Sequence, residues 1–253
     1  MQLSRLFLNV LDADTLATFY TDVLGMRDLG QPGSPALGYD TGQCLLAFNA
    51  GDFGPYEPAP NDLYWKIGIT LRDLDRAVAY LRERGWPVTD TRQFRDIGYM
   101  AHLNDPEGFA IELLQQGFEG NAAPAGNGHP IGGQAILAHL TLRITDLAAA
   151  QRFCEGQLGM RLMSIQPVPE RGFTLCFYAW SDEPLPDPDL KAVENREWLW
   201  ARPYTLLELQ HWHETDGPMA RPRAHLAGFA GFAYGGDVTD LIRMPLSTLA
   251  DLL

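Results

Sequence analysis

The chain alternates between short stretches with a strand pattern and short stretches with a helical pattern. Residues 137–144 alternate strictly between two faces, one of which is apolar. The other face carries Leu137, His139, Thr141 and Arg143. A period of two predicts a β-strand with one buried face. Asp146 then supplies a helix N-cap, and the apolar spacing after it predicts a helix that stops at Gly159.

The opening of the chain repeats in its second half. Aligning residues 3–27 with residues 137–161, at a constant offset of 134 and without gaps, gives nine identities in 25 positions. Similar strand–cap–helix patterns start near residues 64 and 229. The pattern therefore predicts four βαβββ-like units that begin near residues 3, 64, 137 and 229. The fourth is short, with room for a strand and a helix that begins near Asp237 and is interrupted by Pro245.

A stretch without periodicity separates the two halves. Residues 116–134 are rich in Gly, Ala, Asn and Pro, which predicts a linker. We therefore expect a first domain of two units over residues 1–115. A second domain over residues 135–253 would hold one full unit and one truncated unit.

Composition narrows the possible partners. The 253 residues include 32 acidic and 19 basic side chains, and the formal charge of −13 disfavours nucleic acid and anionic membranes. No apolar run approaches the roughly 20 residues of a membrane span, and the first residues do not read as a signal peptide. Three widely spaced cysteines, Cys44, Cys154 and Cys176, indicate buried thiols in a reducing cytoplasm.

Three polar residues inside apolar strands are the candidates for chemistry. Glu112 and Glu208 each lie in a run of apolar strand residues, and His139 lies on the polar face of its strand. A buried acid is costly unless it is paired or binds a metal. His and Glu ligands together suit Zn, Ni, Fe or Mn. His211 and His213 have the opposite strand parity from Glu208, so we do not expect them at the site.

These motifs resemble the vicinal oxygen chelate superfamily, which includes glyoxalase I, extradiol dioxygenases and binding proteins of the bleomycin-resistance type. The resemblance rests on Leu-Gly-Met at residues 24–26 and 158–160, on the Asp-Pro-Glu-Gly turn before Glu112, and on the strand with Glu208. The third unit, with an acidic insertion at 181–197, is most similar to glyoxalase I. The resemblance implies an α+β fold in which repeated βαβββ units form two incomplete mixed-sheet barrels, with the fourth unit truncated.

The resemblance also implies a site. Metal ligands in that family come from the first and last strands of a unit, which points to His139 and Glu208, with Glu112 from the second unit. Arg143 would contact a substrate anion. In the second unit, Lys66 lies at the position of the first-strand metal ligand. A protonated lysine cannot coordinate a metal ion, but it can pair with a carboxylate or with an anionic substrate. Pairing of the second and third units, which we expect because the second unit keeps a last-strand Glu, would bring Lys66, Glu112, His139 and Glu208 into one cup. Pairing of the third and fourth units would leave only His139 and Glu208 there.

The implied function is a metal-dependent lyase or isomerase of the glyoxalase I type. Its substrate would be a small 2-oxoaldehyde or hydroxy-carbonyl compound, with Glu208 or Glu112 as the base. A metal-free binding protein is an alternative, with Trp212, Tyr204 and Phe229 as candidate aromatic contacts. Trp212 stands where the family has an Asn, which weakens the case for glutathione. An extradiol-type dioxygenase is a third hypothesis, but it needs a second His. We expect a cytoplasmic monomer or homodimer.

Overall fold

The computed structural model describes residues 1–124, 128–215, 219–236, 240–244 and 246–249. Within them the strands are β1 (Gln2–Val10), β2 (Arg27–Asp28), β3 (Leu37–Gly38), β4 (Leu45–Ala50), β5 (Tyr64–Leu71), β6 (Arg92–Phe94), β7 (Gly98–Asn104), β8 (Ala110–Gln115), β9 (Ile136–Ile144), β10 (Arg161–Val168), β11 (Phe173–Ala179), β12 (Leu206–Trp212), β13 (Gly228–Gly235) and β14 (Ile242–Arg243). The helices are α1 (Ala13–Thr18), α2 (Leu74–Glu83), α3 (Leu147–Gln151), α4 (Glu194–Trp200) and α5 (Leu246–Leu249).

Two mixed sheets form the body of the molecule. The strand order is β14-β13-β1-β4-β3-β2 in one and β10-β11-β12-β9-β5-β8-β7-β6 in the other. The first and fourth units therefore share the six-stranded sheet, while the second and third share the eight-stranded sheet. The predicted α+β class with repeated units is confirmed, and each of the four predicted first strands is present as β1, β5, β9 and β13. Each sheet takes strands from both halves of the chain.

Aspartate caps start the helices that follow three of the first strands. The carboxylates of Asp12, Asp73 and Asp146 accept a hydrogen bond from the backbone N–H three residues later, at 3.0, 3.0 and 2.9 Å. Each bond satisfies an N–H that the first turn leaves without a partner. Both α1 and α3 continue into a π-helical turn before the predicted glycine stop, Gly25 or Gly159, where φ is 71° and 64°.

The two faces of the eight-stranded sheet have different roles. Apolar side chains such as Ile69, Leu113 and Leu140 pack with Leu74 and Leu81 of α2 in the main hydrophobic core. Burial of this face contributes most of the stabilisation of the sheet. The opposite face carries the polar strand residues and forms the floor of a cup.

The remaining predictions concern the fourth unit, the cysteines and membrane spans. β13 and β14 belong to the short fourth unit, whereas Asp237 and Pro245 lie outside the described residues. Cys44, Cys154 and Cys176 are buried free thiols. No helix in the described part of the chain has the length and apolar character that crossing a bilayer requires.

Candidate active site

Strand register brings residues from four central strands to one point. Gly68 of β5 lies opposite His139 of β9 and beside Glu112 of β8. Glu208 of β12 lies beside Thr141 of β9. Because side chains two residues apart share a face of a strand, Lys66, Glu112, His139 and Glu208 converge on one side of the sheet. This places residues of the second and third units in one cup.

A buried lysine lies at the centre of these residues. Lys66 Nζ is 3.0 Å from Glu112 Oε1, 3.3 Å from Glu208 Oε2 and 3.2 Å from His139 Nε2. The side chain of Lys66 is only 2% exposed. An ammonium group has three N–H donors, and three acceptors stand at hydrogen-bond distance here. The charge of Lys66 is therefore fully engaged by the protein.

His139 Nε2 lies at hydrogen-bond distance from three charged groups. It is 3.2 Å from Lys66 Nζ, a donor, and 3.3 and 3.2 Å from Glu112 Oε1 and Glu208 Oε2, which are acceptors. Nδ1 is buried and has no hydrogen-bond partner among the described residues. The His139 ring packs against Phe177 and Trp200, with ring centroids 6.2 and 6.1 Å away.

A glycine makes room for this imidazole. A Cβ atom at Gly68 would overlap the Cε1, Nε2 and Nδ1 atoms of the His139 ring. His139 is 1% exposed and its Nε2 contacts Lys66, Glu112 and Glu208, so the ring can make room for a Cβ only by giving up these contacts. The absence of a side chain at Gly68 is thus part of the site.

Opposite charges stabilise the ionised forms of the buried groups. Burial lowers the pKa of the Lys66 ammonium, but attraction by Glu112 and Glu208 outweighs it, and the net pKa is raised. Burial raises the pKa of the Glu112 carboxyl, but Lys66 and His102 lower it, and the result lies well below the ordinary value. Lys66 is therefore a fixed cation and Glu112 a fixed anion at neutral pH.

Glu208 is held by one of its two oxygens. Oε2 accepts hydrogen bonds from Lys66 Nζ at 3.3 Å and from Thr141 Oγ1 at 2.5 Å, and it lies 3.2 Å from His139 Nε2. Among the described residues, Oε1 has no such partner. Glu208 lines the cavity of the cup, so one carboxylate oxygen fixes the side chain and the other is available to a bound molecule.

His102 is a site residue that sequence analysis missed. It lies on β7 directly opposite Glu112 in the β7–β8 pair, and its Nε2 is 3.0 Å from Glu112 Oε2. The signal was present in the sequence, because the tight turn between the two strands fixes their register. His102 contacts the carboxylate oxygen that Lys66 and His139 do not, and its side chain is 30% exposed.

Aromatic and aliphatic side chains enclose the cavity above this cluster. Its volume is about 200 Å³. The apolar lining consists of Trp65, Phe94, Ile97, Met100, Leu114, Phe173, Leu175, Phe177 and Trp200. Trp200 comes from α4, just after the predicted acidic insertion, and its Nε1 donates to the Ile97 carbonyl at 2.9 Å. Arg92 and Arg171 also line the cavity and are exposed, which marks its open side as positively charged.

Arg143 and Trp212 lie outside the cavity lining. Arg143 shares the parity of His139 but is four residues further along β9, about 13 Å away along the strand. Its guanidinium donates to the Ala59 carbonyl at 3.1 Å and to Gln210 Oε1 at 3.3 Å, and it lies over the Trp65 ring. Trp212 packs edge-on against Phe173 at the end of β12, with ring centroids 5.4 Å apart.

Of the other two aromatic candidates, Phe229 lies in the six-stranded sheet, stacked on Tyr64 with ring centroids 5.6 Å apart. Tyr204 donates from its hydroxyl to Ser181 Oγ at 3.0 Å, and it too lies outside the cavity lining. The aromatic lining of the cup therefore comes from residues other than those that the sequence suggested.

The residues do not fit the metal ion that the resemblance implies. Glu112, His139 and Glu208 are close enough to act together, but the three atoms that would bind a metal all face Lys66 Nζ. A cation at their common centre would approach an ammonium group, which repels it and offers no lone pair. No group of three or more His, Cys, Asp or Glu side chains in the described ranges is arranged to hold a metal.

Chemical labelling can test the burial of Lys66. The chain has two lysines, Lys66 and Lys191, and Lys191 is exposed. We expect an amine-reactive ester to modify Lys191 and the N-terminus of the folded protein, and to reach Lys66 only after unfolding, because acylation needs an accessible, deprotonated amine. Peptide mass spectrometry provides the measurement. Equal labelling of both lysines in the native protein would contradict the arrangement described.

The fold and the cup agree with the family comparison. Residues 2–113, which are 112 of the 253 residues, match the family model described as "Glyoxalase/Bleomycin resistance protein/Dioxygenase superfamily".

Two curated relatives and one solved structure show which members of the superfamily the chain is similar to. The chain is 27% identical over 197 residues to a lactoylglutathione lyase of Arabidopsis thaliana, with 71% of this chain and 64% of that protein covered. It is also 27% identical over 191 residues to a lactoylglutathione lyase of Oryza sativa subsp. japonica, with 68% and 58% covered. The chain thus spans about three fifths of the length of these curated relatives. Glyoxalase I from Zea mays aligns with a TM-score of 0.64 at 19% identity, over 91% of this chain and 73% of that one, which supports the fold.

Proposed function

We propose that the cup is the active site of a glyoxalase I-like lyase or isomerase that moves a proton between adjacent carbons of a small oxygenated substrate. The observation that carries this proposal is the arrangement of Glu208. Its Oε2 is held by Lys66 and Thr141, whereas Oε1 has no partner among the described residues and the side chain lines the cavity. A carboxylate oriented in this way is suited to act as a general base. The similarity to lactoylglutathione lyases supports the same class of reaction.

The proposed reaction uses Glu208 twice. Oε1 takes a proton from a carbon that bears a hydroxyl group and lies next to a carbonyl group. The electron pair of the broken C–H bond forms a C=C bond, and the π pair of the carbonyl group moves onto its oxygen. The carboxyl group then returns the proton to the former carbonyl carbon, while the hydroxyl proton passes to the oxyanion and the hydroxyl-bearing carbon becomes the new carbonyl, so that no proton is gained or lost overall. The fixed charge of Lys66 offsets part of the negative charge of the two buried carboxylates. Once Glu208 has taken the proton, the remaining Lys66–Glu112 pair has no net charge that would oppose the oxyanion.

The lining of the cavity indicates the substrate class. The walls are mostly apolar and the exposed Arg92 and Arg171 lie on the lining, so the cavity favours a small compound with an apolar body and an anionic group. Suitable probes are 2-oxoaldehydes and hydroxy-carbonyl compounds, each with and without glutathione. Trp212 stands at the position where the family has an Asn, and it does not line this cavity. Whether the reaction needs glutathione is therefore tested separately for each probe.

Substitution of the base tests the proposal. Glu208→Gln should lower kcat on any turned-over probe by about 10²–10⁴-fold, because the amide cannot accept the proton. Binding of the probe, followed by quenching of tryptophan fluorescence, should change far less. Glu214→Gln is the matched control, since Glu214 is exposed beyond the end of β12.

Full activity of Glu208→Gln would contradict the assignment of the base. A second candidate function is a metal-free small-molecule binding protein, which the aromatic lining and the engaged ammonium of Lys66 favour. Tight probe binding by the wild type, without turnover of any probe, would decide for that function.

A further inference from the structure

The atoms around Lys66 stand at the spacing of metal ligands. Five of the six distances among Lys66 Nζ, Glu112 Oε1, His139 Nε2 and Glu208 Oε2 lie between 3.0 and 3.3 Å. The distances from His139 Nε2 to the two carboxylate oxygens, 3.3 and 3.2 Å, equal the edge of a tetrahedron whose centre lies about 2 Å from each corner, which is the usual Zn–N and Zn–O bond length. Lys66 Nζ lies at the same spacing from all three atoms, so an ammonium nitrogen stands where the fourth corner of such a tetrahedron would be.

The ammonium and a metal ion exclude each other at this place. Lys66 Nζ directs its three N–H groups at the three atoms that would otherwise bind the metal. A divalent ion would need the same lone pairs, and it would lie about 2 Å from a positively charged nitrogen. The two carboxylates need a nearby cation because they are 8% and 2% exposed, and Lys66 already supplies it.

We propose that the Lys66 ammonium takes the place of a metal ion in this cup. It keeps divalent metals out of the wild-type protein, and its removal frees Glu112, His139 and Glu208 to close around a metal ion, an arrangement that they do not have among the described residues of the present structure. The inference rests on the positions of these four side chains and does not depend on which substrate the cup accepts or whether it turns that substrate over.

The experiment compares the wild type with Lys66→Ala and Lys66→His. The first variant leaves three protein ligands and an open position, and the second supplies an imidazole at the fourth corner. Each protein is dialysed against Co²⁺ or Zn²⁺, and the bound metal is measured by elemental analysis. The visible absorption of Co²⁺ reports tetrahedral coordination. Lys191→Ala is the matched control because Lys191 is exposed and far from the cluster in sequence.

We expect one bound equivalent in at least one Lys66 variant, with an affinity at least about 100-fold above that of the wild type and of Lys191→Ala. Adding Glu208→Gln to that variant should abolish the Co²⁺ spectrum. If Lys66→Ala is unstable without metal, its melting temperature should rise with Co²⁺ concentration, since a ligand that binds only the folded state stabilises it. Stoichiometric Co²⁺ binding by the wild type would overturn the proposal. So would the failure of both Lys66 variants to bind metal while circular dichroism shows them to be folded.

Discussion

Gly68→Ala is expected to destabilise the protein by about 3 kcal/mol, at the upper end of what overpacking of a core usually costs. The new methyl group would occupy the space of the His139 ring, which is buried and packs against Phe177 and Trp200. Moving the ring would also break its contact with Lys66 and leave buried charges with fewer partners. Denaturant unfolding followed by far-ultraviolet circular dichroism measures the loss.

Two further variants identify the cause of that loss. Gly156→Ala is the control, because a Cβ there meets no atom within 4 Å, and it should leave stability unchanged or slightly increased. In a His139→Ala background the overlap is absent, so Gly68→Ala should cost at least about 1 kcal/mol less than in the wild type. An equal cost in both backgrounds would show that the glycine acts through the strand backbone and not through the imidazole.

Lys66→Met is expected to cost about 3–5 kcal/mol at neutral pH, the range measured when one partner of a buried ion pair is removed. The side chain keeps its length but loses the charge that offsets Glu112 and Glu208. Lys191→Met removes the only other lysine, which is exposed, and should change stability by less than about 0.5 kcal/mol. Unfolding free energies of the three proteins at pH 7 provide the test.

The cost of Lys66→Met should fall as the pH is lowered. In the wild type the pKa of Glu112 lies well below its ordinary value of 4.5, so its stabilising effect is complete above pH 4.5 and is lost only when the pH falls through the lowered value. Without the lysine, the largest effect that lowers the pKa of the Glu112 carboxyl is lost and burial still raises it, so this group takes up a proton at a higher pH in the variant. The gap between the two proteins should therefore narrow between pH 7 and pH 4.5. A constant gap would show that Lys66 stabilises by packing and not by charge.

Sequence analysis could predict the strands and the convergence of four side chains because both follow from local rules. Strand parity places Lys66 and Glu112 on the cup face, and the repeat relates the first strand of each unit to the others. A pairing of Lys66 with a carboxylate was also within reach, since buried ammonium and carboxylate groups need each other. The pairing of the second and third units in one sheet follows the arrangement that the sequence favoured.

The errors arise where position depends on distance along a strand or on packing between distant segments. Strand parity places Arg143 on the same face of β9 as His139, but the two residues lie at different positions along the strand. The Arg143 guanidinium donates hydrogen bonds to the Ala59 carbonyl and to Gln210 and does not line the cavity. Trp200 lines the cup from the end of α4, just after residues 181–197, which were predicted only as an acidic insertion. The space that Gly68 leaves for His139 is a property of two strands in contact, and no single stretch of sequence carries that information.

The sharing of each sheet between distant units also shapes how the protein is made. β1 pairs with β4 on one side and with β13 on the other, and 217 residues lie between the end of β1 at Val10 and the start of β13 at Gly228. At ordinary rates of translation this interval lasts on the order of 10–40 s. During that time one edge of β1 has no strand to pair with, and such an edge invites pairing with other chains. A newly made chain therefore carries an open edge on β1 until β13 has left the ribosome.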